Sequence, residues 1–175
     1  MQGKLAAFVL RLIGWKTVFT QPPGPKSVVL VYPHTSNWDF VIGALWRAKH
    51  QVFINWAGKD TLFRWPLKSF FLWHGGVPIN RRERTGMIEQ LLQAFATRDR
   101  FHMCFTPEGT RSKTDHWKSG FYHIARGADV PLLLGYMDYR FVLVFKSATA
   151  LDQFACEMDL SRLTWLDKLA SRALR

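Results

Sequence analysis

Four clusters of residues carry side chains whose types and spacing could do chemistry. The first is His34-Thr35-Ser36-Asn37-Trp38-Asp39. On a continuous helix, residues five apart do not face each other, but across a strand–turn–helix corner they can. A carboxylate that holds the Nδ1–H of a histidine leaves Nε2 free to take a proton, which is the work of a general base. Such a pair is the two-residue remainder of a serine triad, with the nucleophilic hydroxyl supplied by a substrate. On spacing alone the competing reading, a turn histidine beside an aspartate that favours the helix dipole, is the commoner outcome.

The second cluster is Gly75-Gly76-Val77-Pro78-Ile79-Asn80-Arg81-Arg82. A glycine turn feeds a short strand whose end delivers Arg81, and a guanidinium can grip a phosphate through paired hydrogen bonds. The third is Phe105-Thr106-Pro107-Glu108-Gly109-Thr110-Arg111-Ser112, followed by Lys118-Ser119-Gly120. Here Arg111 or Lys118 could meet a phosphate, with Glu108 on a substrate hydroxyl or on the arginines. A glutamate in a turn beside an arginine can equally do no more than fix the loop. The fourth is Gly58-Lys59-Asp60, where Lys59 leaves a strand as a helix begins, a natural place to meet an anion. In isolation the arginines and Lys59 read as solvated surface charges. Arg81, Arg82 and Arg84 lack the interleaved aromatics of a single-strand nucleic-acid surface. His74, His102, His116 and His123 show no metal-ligand spacing.

These clusters need elements to hold them. Val28–Tyr32 is a β-branched run ending at Pro33, with Ser36 or Asn37 placed to cap a helix from about Trp38 to His50. Strands are expected at 52–56, 77–79, 103–105, 130–137 and 140–146. Helices are expected over 1–20, 60–73 (one helix or two, crossing Pro66), 85–97, 119–126 and 160–174, with Gly127 closing the fourth of these. Strands alternating with helices predict an α/β domain with a mixed, mostly parallel sheet flanked by helices. Gln21-Pro22-Pro23-Gly24-Pro25 reads as a linker, dividing an N-terminal amphipathic helix (1–20) from the main domain (26–175).

The 175 residues make one domain, long enough for a core without disulfide or metal staples. Hydrophobic residues at 48% exclude a disordered chain, and eight Trp with fourteen Phe imply apolar contact surface beyond a minimal core. Lys and Arg number 24 against 13 Asp and Glu, and the net charge of +11 points to a polyanionic partner. Cys104 and Cys156 lack the spacing of a zinc site or disulfide framework and read as reduced thiols. No apolar run reaches the length of a bilayer span. Leu5–Trp15, interrupted by Arg11 and flanked by Lys4 and Lys16, fits an interfacial helix as well as one packed on its own domain.

Taken jointly, in this order and spacing, the clusters resemble the glycerolipid (lysophospholipid) acyltransferase family over about Val28 to Tyr139. Its H-x4-D motif is matched by His34 and Asp39. Its second motif is matched by Ile79-Asn80-Arg81, with Asn80 in place of the commoner Asp. Its F-x-x-E-G-T-R motif is matched by Phe105, Glu108, Gly109, Thr110 and Arg111, and its apolar proline motif by Val130-Pro131-Leu132-Leu133. The family's lysine between the first two motifs resembles Lys59, and its Lys-x-Gly resembles Lys118 and Gly120.

The resemblance implies transfer of a fatty acyl group from acyl-carrier protein or acyl-coenzyme A to the hydroxyl of a lysophospholipid. The foremost acceptor is 1-acyl-glycerol-3-phosphate, giving phosphatidate, with no metal or cofactor. His34 would be the base and Asp39 its orienting partner. Arg81, Arg111 and Lys59 would hold the glycerol phosphate, with Gly109, Thr110 and Lys118 completing the substrate loop. Glu108 would position the acceptor or organise the arginines. A thiolate leaves readily, so one His–Asp pair suffices and no acyl-enzyme on Ser36 or Cys104 is expected. The protein would be cytoplasmic, bound peripherally to anionic lipids at the inner face of the cell membrane. The family pattern leaves the segment after Tyr139 unmatched. Competing readings are a different lysolipid acceptor, a basic nucleic-acid-binding protein, and a catalytically silent lipid-binding protein. An intact His34–Asp39 pair argues against the last.

Overall fold

The structure, a computed structural model, describes residues 2–80, 84–112, 117–139 and 142–147. In chain order the elements are α1 (Gln2–Leu12), β1 (Lys16–Phe19), β2 (Lys26–Tyr32), α2 (Trp38–His50), β3 (Ile54–Lys59) and a single 3-10 turn (Asp60–Leu62). They continue with α3 (Lys68–Trp73), β4 (Gly76–Ile79), α4 (Arg84–Thr97), β5 (Phe101–Phe105), α5 (Gly120–Gly127), β6 (Leu132–Asp138) and β7 (Val142–Ser147). The expected helix 160–174 and Cys156 lie outside the described residues.

The strands form one sheet in the order β1-β7-β6-β2-β5-β3-β4. The five strands from β6 to β4 are mutually parallel. Strand β7 runs antiparallel to β6, and β1 pairs parallel with β7. The expected mixed, mostly parallel sheet flanked by helices is what the chain forms. Central β2 reads as an unbroken apolar run because parallel strands are covered on both faces. Its alternation sends Val28 and Leu30 to one side, against Leu91 and Phe95 of α4 and Phe121 and Ile124 of α5. Val29 goes to the other side, with Leu10, Trp15, Ile42 and Trp46. Helices α1 and α2 therefore cover one face of the sheet, and α4 and α5 the other. Phe40 of α2 and Phe71 of α3 meet on the same Trp56 ring of β3, which seats α3 beside α2.

The N-terminal expectation needs correcting. The helix stops at Leu12, where Gly14 turns the chain with φ +80°, and Lys16–Phe19 becomes strand β1. Lys49 Nζ donates to Thr17 Oγ1 at 2.6 Å and pins β1 to α2. The proline-rich stretch 21–25 thus connects two strands of one sheet. Helix α1 packs through Ala6 and Leu10, both buried, and Gly3 lets it approach the carbonyl of Ala48. Leu5, Phe8 and Leu12 on its other side are exposed. One side of this helix thus packs on its own domain, and the other faces outward and apolar.

Candidate active site

Neighbouring parallel strands β2, β5, β3 and β4 end at one edge of the sheet, and open α/β sheets bind ligands outside such carboxyl ends. His34 follows β2, Glu108 follows β5, and Lys59 closes β3. Lys59 pairs in register with Ile79, the last residue of β4. Arg81 lies outside the described residues.

His34 Nδ1 and Asp39 Oδ2 are 2.6 Å apart. The turn that separates them makes the contact. Of the two candidate caps Asn37 takes the N-cap position of α2 without a side-chain cap bond, while Ser36 Oγ accepts from the Trp38 N–H at 3.2 Å and closes the turn. Asp39, in the first turn of α2, reaches back to accept from the N–H groups of Thr35 (3.0 Å) and Ser36 (3.1 Å). Its other oxygen, Oδ1, accepts from the hydroxyl of Tyr139. The Asp39 side chain is 5% accessible and the His34 side chain 24%. The carboxylate is therefore sheltered while the imidazole remains open, with Nε2 as the nitrogen left for a substrate proton. Burial pushes the Asp39 carboxyl up, but hydrogen bonds from His34, Tyr139 and Ser36, with the charge on His34, outweigh it and hold the group below its ordinary value. It stays ionised at neutral pH, as the partner of an imidazolium must.

Glu108 is buried, and its Oε2 accepts from the backbone N–H of His34 at 2.7 Å. The side chain expected to meet a substrate hydroxyl or the arginines thus bonds the main chain of the candidate base. It thereby ties the end of β5 to the end of β2. Burial pushes its carboxyl up, and the nearby Asp39 charge adds to that, against the hydrogen bond from His34.

Gly109 follows with φ +64°, a left-handed conformation that favours glycine. A Cβ there would lie 2.6 Å from Lys118 Nζ, so the bare glycine gives the Lys118 side chain its place. The Lys118 N–H donates to the Pro107 carbonyl at 2.8 Å, closing the loop on itself. Thr110 Oγ1 accepts from the Ser112 N–H at 3.2 Å and so shapes the same loop. Thr110 and Arg111 are exposed, as is Lys59 at the end of the neighbouring strand β3. The structure thus joins His34, Asp39 and Glu108 by direct contacts and packs Gly109 on Lys118. It leaves Lys59 and Arg111 as open cations at the same end of the sheet.

Tyr139 was not singled out by sequence reasoning. It lies 100 residues from Asp39, and no spacing rule joins them. Its ring stands edge-on to Trp15, at 5.6 Å between centroids, so the segment after α1 backs a side chain that bonds Asp39. Among the described residues no group of three or more His, Cys, Asp or Glu side chains is arranged to hold a metal ion. Burial pushes the Cys104 thiol up to about 12, which keeps it protonated and a poor nucleophile at neutral pH.

A family model described as Acyltransferase matches residues 19–133, about two-thirds of the chain. No curated protein sequence matches. Among solved structures, the fold is similar to the 1-acyl-sn-glycerophosphate (LPA) acyltransferase PlsC from Thermotoga maritima, with a TM-score of 0.61 and 13% identity. That match covers 95% of this chain and 78% of the other. At this identity the likeness is one of fold.

Proposed function

The chain belongs to the acyltransferase family, and from that premise we propose that it transfers a fatty acyl group from a thioester to the hydroxyl of a lysophospholipid, foremost 1-acyl-glycerol-3-phosphate, with His34 as general base. The observation that carries this reading is the His34–Asp39 contact at the carboxyl end of the parallel strands, with the carboxylate sheltered and the imidazole open.

In this mechanism the acceptor hydroxyl gives its proton to His34 Nε2 as its oxygen attacks the thioester carbonyl carbon. The tetrahedral intermediate collapses with cleavage of the C–S bond. The departing thiolate takes the proton back from the imidazolium, and an ester has replaced a thioester. Asp39 holds Nδ1–H and offsets the transient positive charge. Glu108 fixes the backbone on which His34 rides. Lys59, Arg81 and Arg111, with Lys118 beside Gly109, supply positive charge for the acceptor phosphate. Transfer is direct, in a ternary complex without an acyl-enzyme. The donor is acyl-carrier protein or acyl-coenzyme A, both acidic, which suits a chain of net charge +11. The outward apolar side of α1, with Lys4 and Arg11, supports peripheral attachment to the inner face of the cell membrane. No helix among the described residues is long and apolar enough to cross a membrane.

The test is a liposome assay with labelled acyl-coenzyme A or acyl-carrier protein and a panel of lysolipids, run beside His34→Ala. A two-chain product on lysophosphatidate that is lost in the variant is the expected result. Product only on another lysolipid keeps the mechanism and changes the acceptor. Product of equal yield from His34→Ala would overturn the assignment of the base, and no product from any pair would leave a lipid-binding protein.

A further inference from the structure

Exposed apolar side chains are distributed one-sidedly over this fold. Among the described residues, no large apolar side chain of α4 or α5 is exposed, whereas α1, α2 and α3 and their connections carry most of those that are. The densest stretch follows the end of β3 directly. Leu62, Trp65, Leu67, Phe70 and Trp73 all stand out into solvent, with Trp65 91% exposed. Soluble surfaces rarely hold so much contiguous apolar area without a use for it.

This segment is not a loosely attached loop. Phe63 is buried in a notch left by two glycines: a Cβ on Gly58 or Gly76 would come within 2.7 Å of its ring. Phe71 packs inward against Trp56 and Phe63. At the far end the His74 carbonyl accepts from Arg47 Nη1 at 2.8 Å and from Trp56 Nε1 at 3.1 Å. Phe63 and Phe71 thus seat the segment, and Trp65, Leu67 and Trp73 are left to face outward.

Its charge points to one kind of partner. Leu62–Trp73 contains Arg64 and Lys68, both exposed, and no Asp or Glu. Tryptophans set beside basic residues on an apolar surface suit the headgroup level of a bilayer, and each basic residue near an anionic surface strengthens binding roughly fivefold. Self-association fits less well, because a two-fold contact through this face would bring the Arg64 and Lys68 charges of both copies into one interface with no Asp or Glu from the segment to offset them.

We propose that residues 62–73 are a docking face for an anionic lipid bilayer, separate from α1. Because the segment begins three residues beyond Lys59, docking there brings the lipid surface to the edge of the sheet where the candidate site opens. Helix α1 lies on the other side of α2 in the same layer, so two contacts orient the molecule where one would only tether it. The proposal extends the membrane association read for α1 and needs no acyl donor or acceptor to test, so its failure is distinguishable from failure of the acyl-transfer reading.

The experiment is sedimentation of the full chain with vesicles of phosphatidylcholine, with and without phosphatidylglycerol. Trp65→Ser combined with Trp73→Ser is expected to weaken binding to the anionic vesicles on the order of tenfold. Arg64→Gln combined with Lys68→Gln is expected to weaken it roughly 25-fold, to leave binding to phosphatidylcholine alone unchanged, and to flatten the salt dependence. Thermal melts check that the pairs fold; if the tryptophan pair does not, the charge pair decides alone. Binding of a folded pair within about twofold of the parent protein would overturn the proposal. So would a dimer in light scattering that the tryptophan pair disperses while vesicle binding is unchanged, since the face would then belong to a second copy.

Discussion

At Asp39 several small interactions compete with burial, and the balance sets the state of the candidate base. Removing either partner of the pair is expected to cost about 10²–10⁴ in kcat, measured as His34→Ala and Asp39→Asn under saturating donor. Tyr139→Phe tests the carboxylate more finely. The phenol is one of the groups that hold the Asp39 carboxyl down, so its loss moves that carboxyl upward. The stability effect has a definite sign. A carboxyl depressed in the folded state stabilises above its unfolded pKa, and that contribution is lost as pH falls through the folded value. Tyr139→Phe is therefore expected to cost about 0.5–1 kcal/mol at pH 7, at the low end for a hydrogen bond because the ring is partly exposed. Urea midpoints at falling pH are expected to converge with those of the parent protein as Asp39 protonates. Glu108 offers a contrast between substitutions. Glu108→Gln retains an oxygen for the His34 N–H, whereas Glu108→Ala orphans it and is expected to cost about 1–3 kcal/mol, with a larger fall in kcat.

Elements hold the site through the turns that join them. The corner from β2 to α2 is closed by Ser36 and Asp39 themselves, so residues that could do chemistry also build the turn that aims them. After β5, Gly109 combines a left-handed backbone with the space that Lys118 occupies. Gly109→Ala meets both difficulties. The end of Lys118 can move, but the backbone cost of about 1 kcal/mol stays. The expected result is a modest drop in melting temperature with a rise in KM for the phosphorylated acceptor. Gly76→Ala belongs to a different class, because its Cβ would meet the Phe63 ring and the carbonyl of Phe71 at 2.8 Å, neither of which has room to retreat. Overpacking there is expected to cost about 1–3 kcal/mol in urea unfolding and to disturb the 62–73 segment.

Over the whole molecule, the two helical layers have different surfaces. Helices α4 and α5 spend their apolar residues on the core, while α1, α2 and α3 keep some for the outside. A net charge of +11 adds a long-range attraction to anionic membranes and to acidic acyl carriers. Vesicle binding is therefore expected to fall steeply as ionic strength rises and the Debye length shortens from about 10 Å at 0.1 M towards about 3 Å at 1 M, leaving a residual set by the apolar faces. Titrating salt against anionic and neutral vesicles separates the two contributions.

The class of fold and the His34–Asp39 contact were legible in local sequence patterns. Local signals suffice for strands such as Val28–Tyr32, whose apolar run needs both faces covered, and for α2, which runs from Trp38 to His50 as its pattern predicts. The His34–Asp39 pair was legible because a turn confines both partners to six residues. Tertiary structure alone decided what depends on distant segments meeting. Residues 16–19 read as part of a helix although Gly14 interrupts it, and they became β1 because β7 offers an edge to pair with. Glu108 carries no mark of its bond to the His34 backbone, 74 residues away. Tyr139 reaches Asp39 because β6 lies beside β2 and brings its end to the same edge of the sheet. Periodicity and motif spacing encode contacts within an element or a turn, whereas a hydrogen bond between the ends of two strands depends on their order in the sheet, which no local pattern records.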